Sequence, residues 1–166
     1  SFMIEKKGKM FWYTYRLDTK ELNERQINGL DKVLNYQYSA DGKRIVLSGS
    51  NNGYSNLFVM PITGNTPKKI TDDIYDDLNP IFSNDGKKIY FSSNRGLAMD
   101  PQHDSINKVE KYYHVYELQL NDDGSFDRMA QLTNADANDL FLARGLENKI
   151  QFIRKKQALD ERCSVF

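Results

Sequence analysis

Residues 79–95 read NPIFSNDGKKIYFSSNR, and residues 35–51 read NYQYSADGKRIVLSGSN on the same plan. Asp41-Gly42 and Asp85-Gly86 lie 44 residues apart, as do Ser39 and Ser83, Lys43 and Lys87, and Ile45 and Ile89. A repeat of roughly 40–50 residues is the interval of propeller blades. In both copies an Asp-Gly pair separates two short runs rich in β-branched and aromatic residues, which is a hairpin signal. Gly provides the positive φ that the turn requires, the Ser hydroxyl can bond turn backbone, and the Lys keeps the rim solvated. Ser39, Asp41, Gly42, Ser83, Asp85 and Gly86 are therefore read as structural turn residues.

Working outward, residues 35–39 and 43–49 form the first hairpin of a unit, residues 56–62 (NLFVMPI) a third strand, and residues 67–71 a short fourth. Four antiparallel strands in meander order make one propeller blade. The next unit has strands at 78–83, 87–93, 112–120 and 126–132. Leu57 and Val115 are 58 apart, and Thr71 and Thr133 are 62 apart. Measured against 44, these intervals put an insertion of about 14 residues between strands two and three, near residues 96–111, and four more in the turn 121–124. Partial units flank the two complete ones. Residues 138–154 match a first hairpin, residues 10–17 a third strand and 23–27 a fourth, with residues 2–5 ending a second strand and 162–166 starting a third.

The expected architecture is all-β: β-propeller blades of four-stranded antiparallel meanders, about three blades' worth. As a single partial domain spanning 1–166 it divides into a partial blade 1–30, a blade 31–73, a blade with insertion 74–134 and a partial blade 135–166. Propellers close at about four to eight blades. Two arrangements answer that count: a two-fold, six-bladed homodimer with composite blades made from the chain ends, or further blades in a longer chain. Strands at both ends of the sequence favour the longer chain, since exposed strand edges are avoided.

Composition suits strands, with ten Tyr and nine Phe. Twenty-three Lys plus Arg balance twenty-three Asp plus Glu, so no global field favours nucleic acid or an anionic membrane surface. No run approaches the about 18 apolar residues of a membrane span. Cys163 is the one cysteine, so neither a disulfide nor a thiolate zinc site can form within the chain.

YSADGKRIVLSGS, FSNDGKKIYFSSNR and the endings KKIT and QLT resemble the TolB-like β-propeller repeat, with its Ser-Pro-Asp-Gly-Lys turn, apolar strand and Ser-x-Arg close. Ser39, Asp41, Gly42 and Lys43 match that pattern, as do Ser83, Asp85, Gly86, Lys87 and Ser93-Asn94-Arg95. The usual Pro is Ala40 in one copy and Asn84 in the other. The resemblance implies a circular array of blades that binds a protein or cell-wall partner in the periplasm or cell envelope of a bacterium. The same repeat occurs in prolyl-oligopeptidase-like and tricorn-like hydrolases, where a propeller gates substrate access, and in oligogalacturonate lyases. Repeat and function are separable, so the enzyme question stays open. The lyases' three-His metal site needs more than the two His of this chain.

In a meander, alternate turns fall on the same edge of the sheet. The Asp-Gly hairpins thus share one face, and the interblade connections share the other with the insertion. The latter face carries the candidate partner-binding residues Asp72, Asp73, Tyr75, Asp76, Asp77, Asp100, His103 and Asp104, alongside Asp136 and Asp139. Loops on a rigid scaffold are where binding concentrates. No cofactor is expected. The carboxylates would admit at most a Ca²⁺ site, and only if about six to eight oxygens converge. His114, in an alternating strand, is read as packed, and the aromatics at 11–15 as core. No nucleophile elbow, phosphate loop or zinc-helix motif appears.

Overall fold

The computed structural model describes residues 1–51, 53–96, 109–147 and 149–156. These build thirteen strands in four antiparallel sheets. The first sheet contains β1 (Phe2–Lys6), β2 (Lys9–Tyr15) and β3 (Leu22–Ile27). The second runs β4 (Lys32–Tyr38), β5 (Arg44–Asn51), β6 (Tyr54–Pro61) and β7 (Lys68–Lys69). The third runs β8 (Asp77–Phe82), β9 (Lys88–Arg95), β10 (Val109–Leu120) and β11 (Phe126–Gln131), and the last pairs β12 (Asn138–Arg144) with β13 (Ile150–Lys155). Each neighbouring pair is consecutive in sequence, so every sheet is a meander. The suggested start of a further strand at 162–166, and Cys163, lie outside the described residues.

Sheet stacking explains why the second strands are apolar at consecutive positions rather than alternating. Ile45, Val46 and Leu47 are all 0% exposed. Ile45 and Leu47 join Met10, Trp12, Ile27 and Phe58 between the first and second sheets, while Val46 points the other way. Val46 meets Leu57, Phe82, Ile89, Phe91 and Tyr116 between the second and third sheets. A strand covered on both faces reads as a continuous apolar run. The third seam is thinner: Ile81, Val115 and Leu142 are buried, with Tyr90, Ile150 and Phe152 packed against them. Trp12 and Tyr13 are core residues, at 3% and 6% exposure.

Hydrogen bonds carry the repeat across these seams. The Ser48 hydroxyl donates to the Asp77 carbonyl at 2.5 Å, and Ser92, 44 residues on, donates to the Asp139 carbonyl at 2.6 Å. Asn35 Oδ1 accepts the Asn79 N–H at 3.2 Å, and Asn79 Oδ1 accepts the Phe141 N–H at 3.1 Å. Both bonds tie first strand to first strand. Within blades, Thr71 Oγ1 accepts Leu57 N–H and Thr133 Oγ1 accepts Val115 N–H, each at 2.9 Å.

The two Asp-Gly turns are built alike. Gly42 N–H donates to the Ser39 carbonyl at 3.0 Å and Gly86 N–H to the Ser83 carbonyl at 3.0 Å. Only the glycines are left-handed in these turns, at φ 66° and 69°, which is a type I turn closed by a left-handed residue. Ser39 Oγ donates to Asp41 Oδ1 at 2.5 Å and accepts Arg44 N–H at 3.0 Å, and Ser83 treats Asp85 and Lys88 the same way at 2.6 and 2.9 Å.

Candidate functional site

The connection from β7 to β8, residues 70–76, crosses one end of the stacked sheets and is pinned on every side. Asp76 N–H donates to Asn94 Oδ1 at 2.8 Å, at the end of β9. Its carboxylate accepts Ser55 N–H from β6 at 3.2 Å and the Tyr113 hydroxyl from β10 at 3.4 Å. Asp73 N–H donates to Asn56 Oδ1 at 3.3 Å, and Asp73 Oδ1 accepts Tyr75 N–H at 3.1 Å. This loop is therefore held by two blades at once.

Its centre is Arg95, the last residue of β9. Nη2 lies 2.7 and 2.8 Å from the Asp77 oxygens and 3.2 Å from Asp73 Oδ2. Nε donates to Ser93 Oγ at 2.9 Å, and the Tyr116 hydroxyl donates to the Arg95 carbonyl at 2.7 Å. The guanidinium carbon sits 5.3 Å from the Tyr75 ring centroid, 5.5 Å from Phe91 and 5.6 Å from Tyr116, inside cation–π range. Burial pushes the Asp77 carboxyl up to about 6, even against the charge and hydrogen bonds of Arg95. Burial also pushes the Tyr116 phenol up to about 12.

Two of the candidate partner-binding residues are buried. Asp77 is 0% exposed and ion-paired with Arg95, and Tyr75 is 9% exposed with Arg95 at its ring. Both build the platform. Asp72 is exposed and pairs with Lys69, Asp73 is partly exposed, Asp76 is half-buried, and Asp136 is exposed. Asp139 is a second buried anchor: Arg154 Nε and Nη2 reach its oxygens at 2.7 and 2.8 Å. Burial works against the Asp139 carboxylate too, but the Arg154 hydrogen bonds and charge hold it below the usual range. Asp100, His103 and Asp104 lie outside the described residues. Among the described residues no group of three or more His, Cys, Asp or Glu is arranged to hold a metal ion.

Arg95 and Arg154 were missed as site residues, yet a signal was present. Asp77 and Asp139 are 62 residues apart, the interval that also separates Thr71 from Thr133. In the second sheet the positions 44 residues earlier hold Val33 and Asn51. Acid and base thus disappear together, as partners do.

Four antiparallel sheets stacked face to face, with the first strands β4, β8 and β12 side by side, form an arc of propeller blades. Superposition on solved structures matches TolB from Acinetobacter baumannii with a TM-score of 0.63 at 18% identity, over 92% of this chain and 36% of that one. The fold is that of a TolB-like β-propeller. The chain spans about a third of that TolB's length, so the TolB-like fold here covers part of a ring. A putative TolB from Agrobacterium tumefaciens aligns at TM-score 0.44 and 16% identity, over 96% of this chain and 67% of that one. The tricorn protease aligns at 0.47 and 15%, over 80% and 16%. Neither of these weaker superpositions adds to the fold argument. No family model and no curated protein matches the sequence.

Proposed function

We propose that this chain is a non-catalytic binding module of a TolB-like propeller in the bacterial cell envelope, presenting its interblade-loop face to a protein or cell-wall partner. The observation that carries the reading is the Arg95 platform. It fixes the 70–76 loop against two blades while leaving the carboxylate of Asp72 at the surface and that of Asp73 partly exposed. Immobilising loop residues beforehand lowers the ordering cost of binding. The chain also departs from its 44-residue repeat between β9 and β10, by the insertion near residues 96–111, and long insertions in compact domains are usually either functional or linker segments. A guanidinium already stands between Asp73 and Asp77, where a cation would otherwise sit, so the reading includes no metal.

Other blades complete the picture as partners. The first sheet exposes Phe2 and Ile4, and the last exposes Phe141 and Ile153 at 63% and 60%, whereas the corresponding faces of the middle sheets are covered. Such faces suit packing against further blades. Joining the two chain ends of a homodimer into composite blades meets a difficulty of count. β1 already occupies the second-strand place beside β2, the place β13 fills beside β12. A composite blade would hold five strands, with two second strands running the same way, unless β1 left the sheet.

The test is site-specific photocrosslinking in the native host. A crosslinking residue at position 72 or 136, on the loop face, should give a discrete adduct, and one at position 41 or 123, on the hairpin face, should give none. Adducts confined to positions 41 and 123 would overturn the assignment.

A further inference from the structure

The hairpin face shows two successive seams that the repeat makes directly comparable. Between the second and third sheets, Arg44 closes the seam. Its Nη2 donates to the Gly86 carbonyl at 2.8 Å, and its guanidinium carbon lies 4.9 Å from the Phe82 ring centroid. Beneath it, Val46 is fully buried and Val59 packs into the same core.

At the next seam the three equivalent positions are Lys88, Tyr90 and Glu117, offset by 44, 44 and 58 residues. Glu117 stands opposite Tyr90 as Val59 stands opposite Val46. Its carboxylate takes the Lys88 ammonium at 2.8 Å, so the cation that would bridge the seam turns back onto its own blade. What remains is a cleft of about 490 Å³, lined by Phe82, Asp85, Lys88, Tyr90, Arg144, Lys149 and Ile150 among others, in which Asp85 Oδ1 already accepts from Ser83 Oγ and from Lys87 N–H. The charges there are unequally committed. Lys88 is paired with Glu117 and Lys149 with Glu147 at 3.1 Å, whereas the exposed Arg144 guanidinium has no hydrogen-bond or ion-pair partner among the described residues.

We infer that this open seam between the third and fourth blades is a binding site for a single carboxylate group, with Arg144 as its anchor. One uncommitted guanidinium matches one negative charge, and its planar fork pairs with a carboxylate through two parallel hydrogen bonds. The aromatic and aliphatic sides, Tyr90 and Ile150, suit a short organic body behind that group, and the volume fits a tripeptide-sized ligand. The site lies opposite the loop face and stands or falls independently of the partner assigned there.

The experiment follows backbone amide shifts of Tyr90 and Ile150 by NMR while trialanine, trialanine C-terminal amide and succinate are titrated. Saturable shifts with trialanine, and none with the amide, support a peptide carboxylate as the source. Saturation by succinate alone supports a free small carboxylate. Arg144→Gln should weaken either by about tenfold or more. The double change Lys88→Arg with Glu117→Val, which rebuilds the closed seam, should abolish binding; if that variant does not fold, Arg144→Gln alone decides. No saturation by either carboxylate below about 10 mM, equal binding of the amide, or unchanged binding in Arg144→Gln would overturn the proposal.

Discussion

Asp77 and Asp139 occupy equivalent places in successive first strands, meet equivalent arginines, and are driven in opposite directions. Around Asp77 burial prevails: Arg95 is itself only 11% exposed, and the carboxyl is pushed up to about 6. Around Asp139 the Arg154 pair prevails. Because the Asp77 value is raised above its unfolded one, protonation favours the folded state. Its contribution to stability is fully present below about pH 4 and is lost as pH rises through about 6. Denaturant unfolding should therefore show the stability of wild type, relative to Asp77→Asn, falling as pH rises across that window. A relative stability that rises instead would mean that the ion pair outweighs burial. None of this was legible in TDDIYDD, where four aspartates look alike. Which acid is buried depends on a side chain reaching over from β9.

At the scale of the hairpins, the repeat itself was legible, because turn chemistry is local. The Ser hydroxyl, the Asp carboxylate and the left-handed Gly all act within six residues of one another, so they survive in sequence as a motif. The use of each turn is not local. Gly42 has open space where a Cβ would point, but a Cβ at Gly86 would collide with Arg44 Nη2. Both glycines have positive φ, so either change to Ala costs about 1 kcal/mol in backbone strain. Gly86→Ala must additionally shift the Arg44 guanidinium, the far end of a flexible side chain, off its carbonyl, adding about 0.5–1.5 kcal/mol for the hydrogen bond lost. The excess should vanish when Arg44→Ala is present, in a double-mutant cycle read by chemical denaturation. Equal costs for the two glycines with Arg44 intact would show that the arginine closes nothing. Likewise, the withdrawal of Lys88 could not be foreseen from the hairpin, since it depends on Glu117 in the strand after the insertion.

For the whole molecule, strand order and stacking follow from consecutive apolar positions in β5 and β9, which a one-sided sheet would not tolerate. The division into two faces follows from meander order alone. The side chains that serve the loop face could not be separated by that argument: Asp77 and Tyr75 lie on the right face but inside it. What singles out the loop face is the loop 70–76, anchored to two blades through Arg95, Asn94, Tyr113, Ser55 and Asn56. The decisive measurement is the affinity of the crosslinked partner for the wild-type chain and for a variant whose residues 97–108, between β9 and β10, are replaced by a short Gly-Ser loop. The binding-module reading predicts an affinity loss of about tenfold or more with an unchanged unfolding midpoint. Undiminished affinity in a folded variant would contradict it.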